Sequence, residues 1–294
     1  MSVNEIEFTF CPLSNVFQNT DYNDKVVSVY QNPDREKYNT RSFTKFKQIC
    51  KKHLRYIRCI DIPDINKESK YATCMVYPNR EVFYLEFIIR NMVLKLKDQV
   101  SYYIVCFNDN KKHVEKVAKK ISNNINIITI NGMNVKNKSQ YNNLLMQFQF
   151  WSIFKCEKML MYTDDSFLFN RDDIMKYYEY DYIGAPWINK PNDHIIGNGG
   201  FSIRNIELMK NITKRKIRLN TPNGKQIEEE DLYFAMLIKH LKLECKYPEI
   251  IDSINFSVFN VNLVDNEKLC GGFQFWFSLP DWETIVENNI LDLN

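Results

Sequence analysis

Two adjacent aspartates close an apolar run. In "KMLMYTDDSFLF", Asp164 and Asp165 end what reads as a buried strand, with Ser166 behind them. Like charges side by side repel and lose solvation when buried, so the pair needs a cation or hydrogen-bond donors. A carboxylate pair after a strand can hold Mg2+ or Mn2+, which take oxygen ligands, and such an ion neutralises a diphosphate. The same residues equally suit an acidic loop whose side chains cap the segment that follows. Downstream, "IIGNGGFSIR" gathers Gly197, Gly199 and Gly200, three of only eight glycines. Glycine permits positive φ and close approach of backbone to a ligand. With Asn198 and Ser202 this segment can line a pocket, or it can be a tight turn entering a strand. A third acidic stretch, "EEEDLYFAMLIKHL", brings Glu228, Glu229, Glu230 and Asp231 to the start of a helix. Acids there meet the helix dipole favourably. One of them, Asp231 or Glu230, can also serve as a general base. His194, on a loop, can touch a phosphate or face solvent, and Trp187 can stack on a sugar or base or pack at a turn.

These residues need elements to position them. Residues up to about Asn39 are polar and turn-rich. From Phe43 to Ile60, Phe43, Phe46, Cys50, Leu54 and Ile57 recur at helical spacing, with Lys45, Lys47, Lys51, Lys52, Arg55 and Arg58 on the other face. Such a basic amphipathic helix can lie on a membrane surface or dock with its basic face in solvent. From residue 71 the texture is β-α-β: "YATCMVYP", "VSYYIVCF", "INIITI" and "KMLMYT" read as strands, separated by helical patterns. Continuous apolar strands alternating with helices predict an α/β fold with a mixed, mostly parallel sheet covered by helices on both faces. Ligands of open α/β sheets gather beyond the carboxyl ends of the strands, which is where Asp164 and Asp165 stand. Residues 1–70 read as an N-terminal helical and irregular extension, and 71–294 as the main domain.

Composition narrows the class. The chain has 294 residues, 45% hydrophobic and 26% charged, so a packed core is within reach. A net charge of +3 argues against nucleic acid as partner. Eight cysteines without a C-x-x-C pair argue against zinc. The start "MSVNEIEFTF" has no secretory character, and no apolar run reaches membrane-spanning length. Reduced cysteines in a cytoplasmic protein are the expectation. The glycines match neither G-x-G-x-x-G nor a Walker loop, and there is no Ser-His-Asp ordering and no H-E-x-x-H.

The ordered series "FWSIFKCEKMLMYTDDSFLF", "YDYIGAPW", "IGNGGFSIR", "EEEDLYF", "INFSVFN" and "GGFQFWF" resembles the DUF5672 family, GT-A-type glycosyltransferase-like proteins of fungi, bacteria and large DNA viruses. The resemblance covers approximately residues 71–280. It implies a GT-A, Rossmann-like fold that binds a nucleotide-sugar, UDP- or GDP-linked, with Mn2+ or Mg2+ on a D-x-D-like motif. The family's Q-T-D falls on Thr163, Asp164 and Asp165, which implies Asp165 and Asp164 as metal and donor ligands. Arg80 matches the family's arginine after the first strand, where it can face the nucleotide phosphates or cap a turn, and Asn198, Gly199 and Gly200 fall in the donor site. Asp231, with Glu230 beside it, matches the base that deprotonates the acceptor hydroxyl of inverting enzymes. Residues 186–196, with Trp187 and His194, match a flap over donor and acceptor. Gln274 stands where a metal-binding histidine is expected. The implied activity is sugar transfer to a hydroxyl of a glycan or protein, in the host cytoplasm or virion if the chain is viral. The alternative implied by Gln274 is a GT-A-like glycan- or nucleotide-binding module without turnover. A third reading of the paired acids, a metal-dependent phosphoesterase, is disfavoured by the near-neutral charge.

Overall fold

A computed structural model of the chain describes residues 3–7, 14–18, 35–78, 80–133, 135–169, 174–186, 197–220, 224, 226–258, 269–272 and 282–291. The first half runs β1 (Val3–Glu7), β2 (Ser14–Gln18), α1 (Arg35–Cys59), β3 (Tyr71–Val76), α2 (Leu85–Leu96), β4 (Ser101–Phe107), α3 (Lys111–Lys119), β5 (Asn126–Asn131), α4 (Lys138–Leu145) and α5 (Phe148–Ser152). The second half runs β6 (Lys158–Tyr162), β7 (Phe167–Leu168), β8 (Tyr182–Ala185), β9 (Asn198–Asn205), α6 (Ile206–Lys214), β10 (Ile217–Asn220), α7 (Glu230–His240), α8 (Ile250–Phe256), β11 (Ser257–Val258), β12 (Gly271–Gly272) and α9 (Trp282–Leu291).

The main sheet has the order β1-β5-β4-β3-β6-β9-β8. Strands β1, β5, β4, β3 and β6 are parallel neighbours, and β9 runs antiparallel between β6 and β8. This is the expected mixed, mostly parallel sheet. Its central strands are apolar on both faces for the reason anticipated. Ala72, Cys74 and Val76 of β3 enter one core layer, while Met75 and Tyr77 enter the other. Period-two alternation therefore serves two buried layers at once.

The order also locates a ligand crevice. The chain leaves β3 for β4 and β5 on one side, then returns through α4 and α5 to β6 on the other. Such a reversal opens a gap at the carboxyl ends of the two diverging strands. The residues just after β3 include Arg80, and those just after β6 include Asp164 and Asp165.

The N-terminal segment packs against this body. β1 pairs in parallel with β5 and extends the sheet's edge. Helix α1 begins earlier than its apolar pattern, at Arg35. Phe46, Ile49, Cys50 and Ile57 are buried, while Lys45, Lys47, Lys51, Lys52 and Arg55 stay exposed. Phe46 meets Tyr84 edge-on with ring centroids 5.2 Å apart. Arg58 donates to Glu86 of α2 at 2.9 and 2.5 Å. Glu86 is buried, and Arg90 and Lys120 also pair with it, so the charge is compensated from three sides. The amphipathic helix is thus a docked helix with a solvated basic face. No helix among the described residues is long and apolar enough to cross a membrane.

Candidate functional site

The loop after β3 is held rigidly before it reaches Arg80. Tyr77 N–H donates to the Val105 carbonyl at 2.8 Å. Asn110 Nδ2 donates to the carbonyls of Tyr77 and Pro78 at 3.3 and 2.7 Å. From this anchored loop Arg80 extends to Asp164. Its Nε donates to Oδ2 at 3.0 Å, and its Nη2 donates to Oδ1 at 2.5 Å and Oδ2 at 2.6 Å. Asp164 is 3% exposed, whereas the Arg80 side chain is 49% exposed.

Residues 163–166 close on themselves. Ser166 N–H donates to the Thr163 carbonyl at 3.0 Å, and Thr163 N–H donates to Ser166 Oγ at 2.9 Å. Thr163 Oγ1 donates to Asp165 Oδ1 at 2.6 Å. The question of how two adjacent acids tolerate each other thus has a local answer. Arg80 compensates Asp164, and the Thr163 hydroxyl serves Asp165. Compensation is incomplete: burial and the Asp164 carboxylate push the Asp165 pKa up to about 6.

On the other side of β6, the start of α7 faces β9. Gly199 N–H donates to Asp231 Oδ2 at 3.2 Å, and Leu232 N–H donates to Oδ1 at 2.8 Å, so backbone donors fix the carboxylate's orientation. Glu230 has a different role. Arg204 Nη1 donates to its Oε2 at 2.7 Å and Nη2 to its Oε1 at 2.9 Å. Arg204 is fully buried, also donates to Ser202 Oγ and the Gly199 carbonyl, and lies within 6 Å of the ring centres of Trp151, Tyr182 and Phe234. Burial opposes the Arg204 charge, but the Glu230 carboxylate more than offsets it, and the pKa is raised. Both Glu230 oxygens accept from one guanidinium, so Glu230 serves as the buried counter-ion of Arg204.

A cavity of about 300 Å³ joins these parts. Of the residues singled out in the sequence, Arg80, Asp164, Asp165, Asn198, Gly200, Glu230 and Asp231 line it. Gly199 stands behind Asp231 for steric reasons. A Cβ there would lie 2.3 Å from Glu230 Oε1 and 2.4 Å from Arg204 Nη2. Positive φ among the described glycines belongs to Gly132 and Gly224, so close approach explains Gly199 better than turn conformation does. Trp187, His194 and Gln274 lie outside the described residues.

Two lysines that line the cavity, and one arginine behind it, carry no local signal as strong as the acid pair. Lys136 and Lys138 follow β5 at the same carboxyl edge, and both are exposed at the cavity. Their position after a parallel strand was the available signal. Arg204 also went unremarked. Its signal was alternation: Ser202 and Arg204 break the apolar face of "FSIR", and a buried arginine demands an acid.

A divalent cation, as the resemblance implies, would have to compete with Arg80 for Asp164. Both Asp164 oxygens already carry hydrogen bonds from a guanidinium, whose positive charge repels a second cation. Among the described residues no group of three His, Cys, Asp or Glu side chains is placed to hold a metal ion. Asp164, held as the partner of Arg80, does not fit the ion, and Gln274, another implied ligand, lies outside the described residues.

A family model described as "Protein of unknown function (DUF5672)" matches residues 124–270, half of the chain. The chain belongs to the DUF5672 family. The matched segment contains Asp164, Asp165, the glycine segment, Glu230 and Asp231, while Arg80 lies outside it. Among solved structures, this DUF5672 chain is similar to the galactosyltransferase LgtC in complex with donor and acceptor sugar analogs, at 9% identity, covering 74% of this chain and 95% of that one, with a TM-score of 0.44. A mannosyltransferase from Pyrobaculum calidifontis in complex with GDP-Man and Mn2+ is 12% identical over 58% of this chain and 54% of its own, with a TM-score of 0.37. S. aureus TarS 1-349 in complex with UDP-GlcNAc is 11% identical, with a TM-score of 0.33, and the match spans 49% of this chain and 47% of that one. No curated protein matches the sequence.

Proposed function

We propose that the chain is a glycosyltransferase whose cavity binds a nucleotide-sugar, UDP- or GDP-linked, and that it transfers the sugar to a hydroxyl of a glycan or protein. One observation carries this reading. A cation, Arg80, and an oriented carboxylate, Asp231, line the same cavity at the sheet's reversal point, with β6 and its acids between them. A phosphate-bearing donor fits the cation end, and an acceptor hydroxyl fits the carboxylate end.

In this reading Asp231 takes the proton from the acceptor hydroxyl as that oxygen bonds to the anomeric carbon. The bond from that carbon to the diphosphate oxygen breaks, and the negative charge leaves with the nucleoside diphosphate. Arg80 stabilises that charge, since a guanidinium matches phosphate oxygens in a planar fork. Gly199 and Leu232 hold Asp231 in place so that orientation is set before the acceptor arrives. A base acting on the acceptor hydroxyl favours inversion at the anomeric carbon.

The test is turnover. The full chain is incubated with a panel of UDP- and GDP-sugars, with release of nucleoside diphosphate followed with and without acceptor glycans. Release that disappears in Asp231→Asn supports the reading. Binding without release across the panel would leave a donor-binding module, and neither binding nor release would overturn the proposal.

A further inference from the structure

Asp164 is one of the two carboxylates that a metal-dependent donor site would use, and Arg80 already holds both of its oxygens. The pair is asymmetric. Asp164 is buried, while half of the Arg80 side chain is exposed at the cavity. A guanidinium carries more N–H donors than one carboxylate can accept, so a ligand phosphate can share it with Asp164. Asp164 then orients the fork and does not bind the ligand itself. Lys136, in the loop after β5, and Lys138, the first residue of α4, bring further positive charge to the same cavity. They are exposed, so they cost little desolvation on their own. An anion between them and Arg80 meets cations from two different strand ends.

We propose that Arg80, supported by Lys136 and Lys138, neutralises the donor's diphosphate in place of a divalent cation, so that nucleotide binding by this chain does not depend on metal. The inference rests on the donor reading above and specifies how that site recognises phosphate. It predicts that the protein's own cations supply the electrostatic stabilisation that Mg2+ or Mn2+ supplies elsewhere.

The experiment is calorimetric titration of the full chain with UDP and with GDP, in excess EDTA and again in Mn2+. The expected result is a dissociation constant that differs by no more than about threefold between the two buffers, against the roughly tenfold that each 1.4 kcal/mol of lost ion contact would produce. Arg80→Ala is expected to weaken binding in EDTA by about tenfold or more, the loss typical of one charge-assisted phosphate contact. Asp164→Asn, which leaves the arginine in place but loosens its fork, is expected to change affinity by the same factor in EDTA and in Mn2+. Binding that falls about tenfold on chelation, or Mn2+-dependent binding abolished by Asp164→Asn, would overturn the inference and leave the donor reading standing. No binding of either nucleotide in either buffer would overturn both.

Discussion

Replacing Arg204 by leucine removes the cation beneath the glycine strand. Glu230 is then left 3% exposed without its hydrogen-bonded cation, with the Lys138 charge alone to offset its own. Stripping one member of a buried ion pair costs about 3–5 kcal/mol, because the remaining charge stays desolvated. The Gly199 carbonyl and Ser202 hydroxyl lose a donor as well, and the aromatic box of Trp151, Tyr182 and Phe234 loses its cation. These losses overlap and are not summed. Against a total stability of about 5–15 kcal/mol for a natural domain, a third or more is at stake. Urea unfolding of the wild type, Arg204→Leu, Glu230→Leu and the double variant forms the cycle. The double variant should recover much of the single variants' loss, since two apolar side chains replace the pair without leaving a buried charge. The pH dependence gives an internal check. Burial raises the Glu230 pKa, and Arg204→Leu removes the opposing charge. A carboxyl with a raised folded pKa contributes stability below its unfolded value, near about 4.3, and loses it as pH rises through the folded value. The deficit of Arg204→Leu should therefore shrink at acidic pH. A loss below about 1 kcal/mol, with single costs that simply add in the double variant, would refute the reasoning.

Three further outcomes follow from the same geometry. Asp231→Asn should reduce turnover by about 10²–10⁴-fold, the usual contribution of a general base, with nucleotide affinity retained; full turnover in this variant would remove Asp231 from the chemistry. Gly199→Ala should destabilise by about 1–3 kcal/mol, as overpacking does, because the new Cβ meets Glu230 and Arg204 within 2.4 Å; an unchanged melting temperature would contradict that packing. Asp165, raised to about 6 by burial and Asp164, should make the wild type lose stability as pH climbs from about 4 through about 6, and Asp165→Asn should flatten that part of the profile. Coincident profiles from denaturant unfolding at stepped pH would show that the pair is not charged in the way described.

The sheet was legible because its strands are continuous apolar runs broken by helical spacing, a pattern that needs no distant partner to be read. The acid pair, the glycine segment and the Glu230–Asp231 start of α7 were legible for a similar reason, since each is a local anomaly of residue type. What escaped was pairing across the chain. Arg80 and Asp164 stand 84 positions apart, and Arg204 and Glu230 stand 26 apart. Local sequence shows that a charge exists but not which charge cancels it, so neither the Arg80–Asp164 nor the Arg204–Glu230 pairing could be read from it. Strand β1 was missed because an edge strand of "VNEIE" carries little apolar signal. Strands β11 and β12 are two residues each, too short for any periodicity.

The most direct test of the account is a crystal structure of the chain with a bound non-hydrolysable nucleotide-sugar. The account predicts the diphosphate oxygens within hydrogen-bonding distance of Arg80 and the sugar directed toward Asp231. A donor seated elsewhere on the molecule, or one in this cavity with its diphosphate away from Arg80, would contradict it.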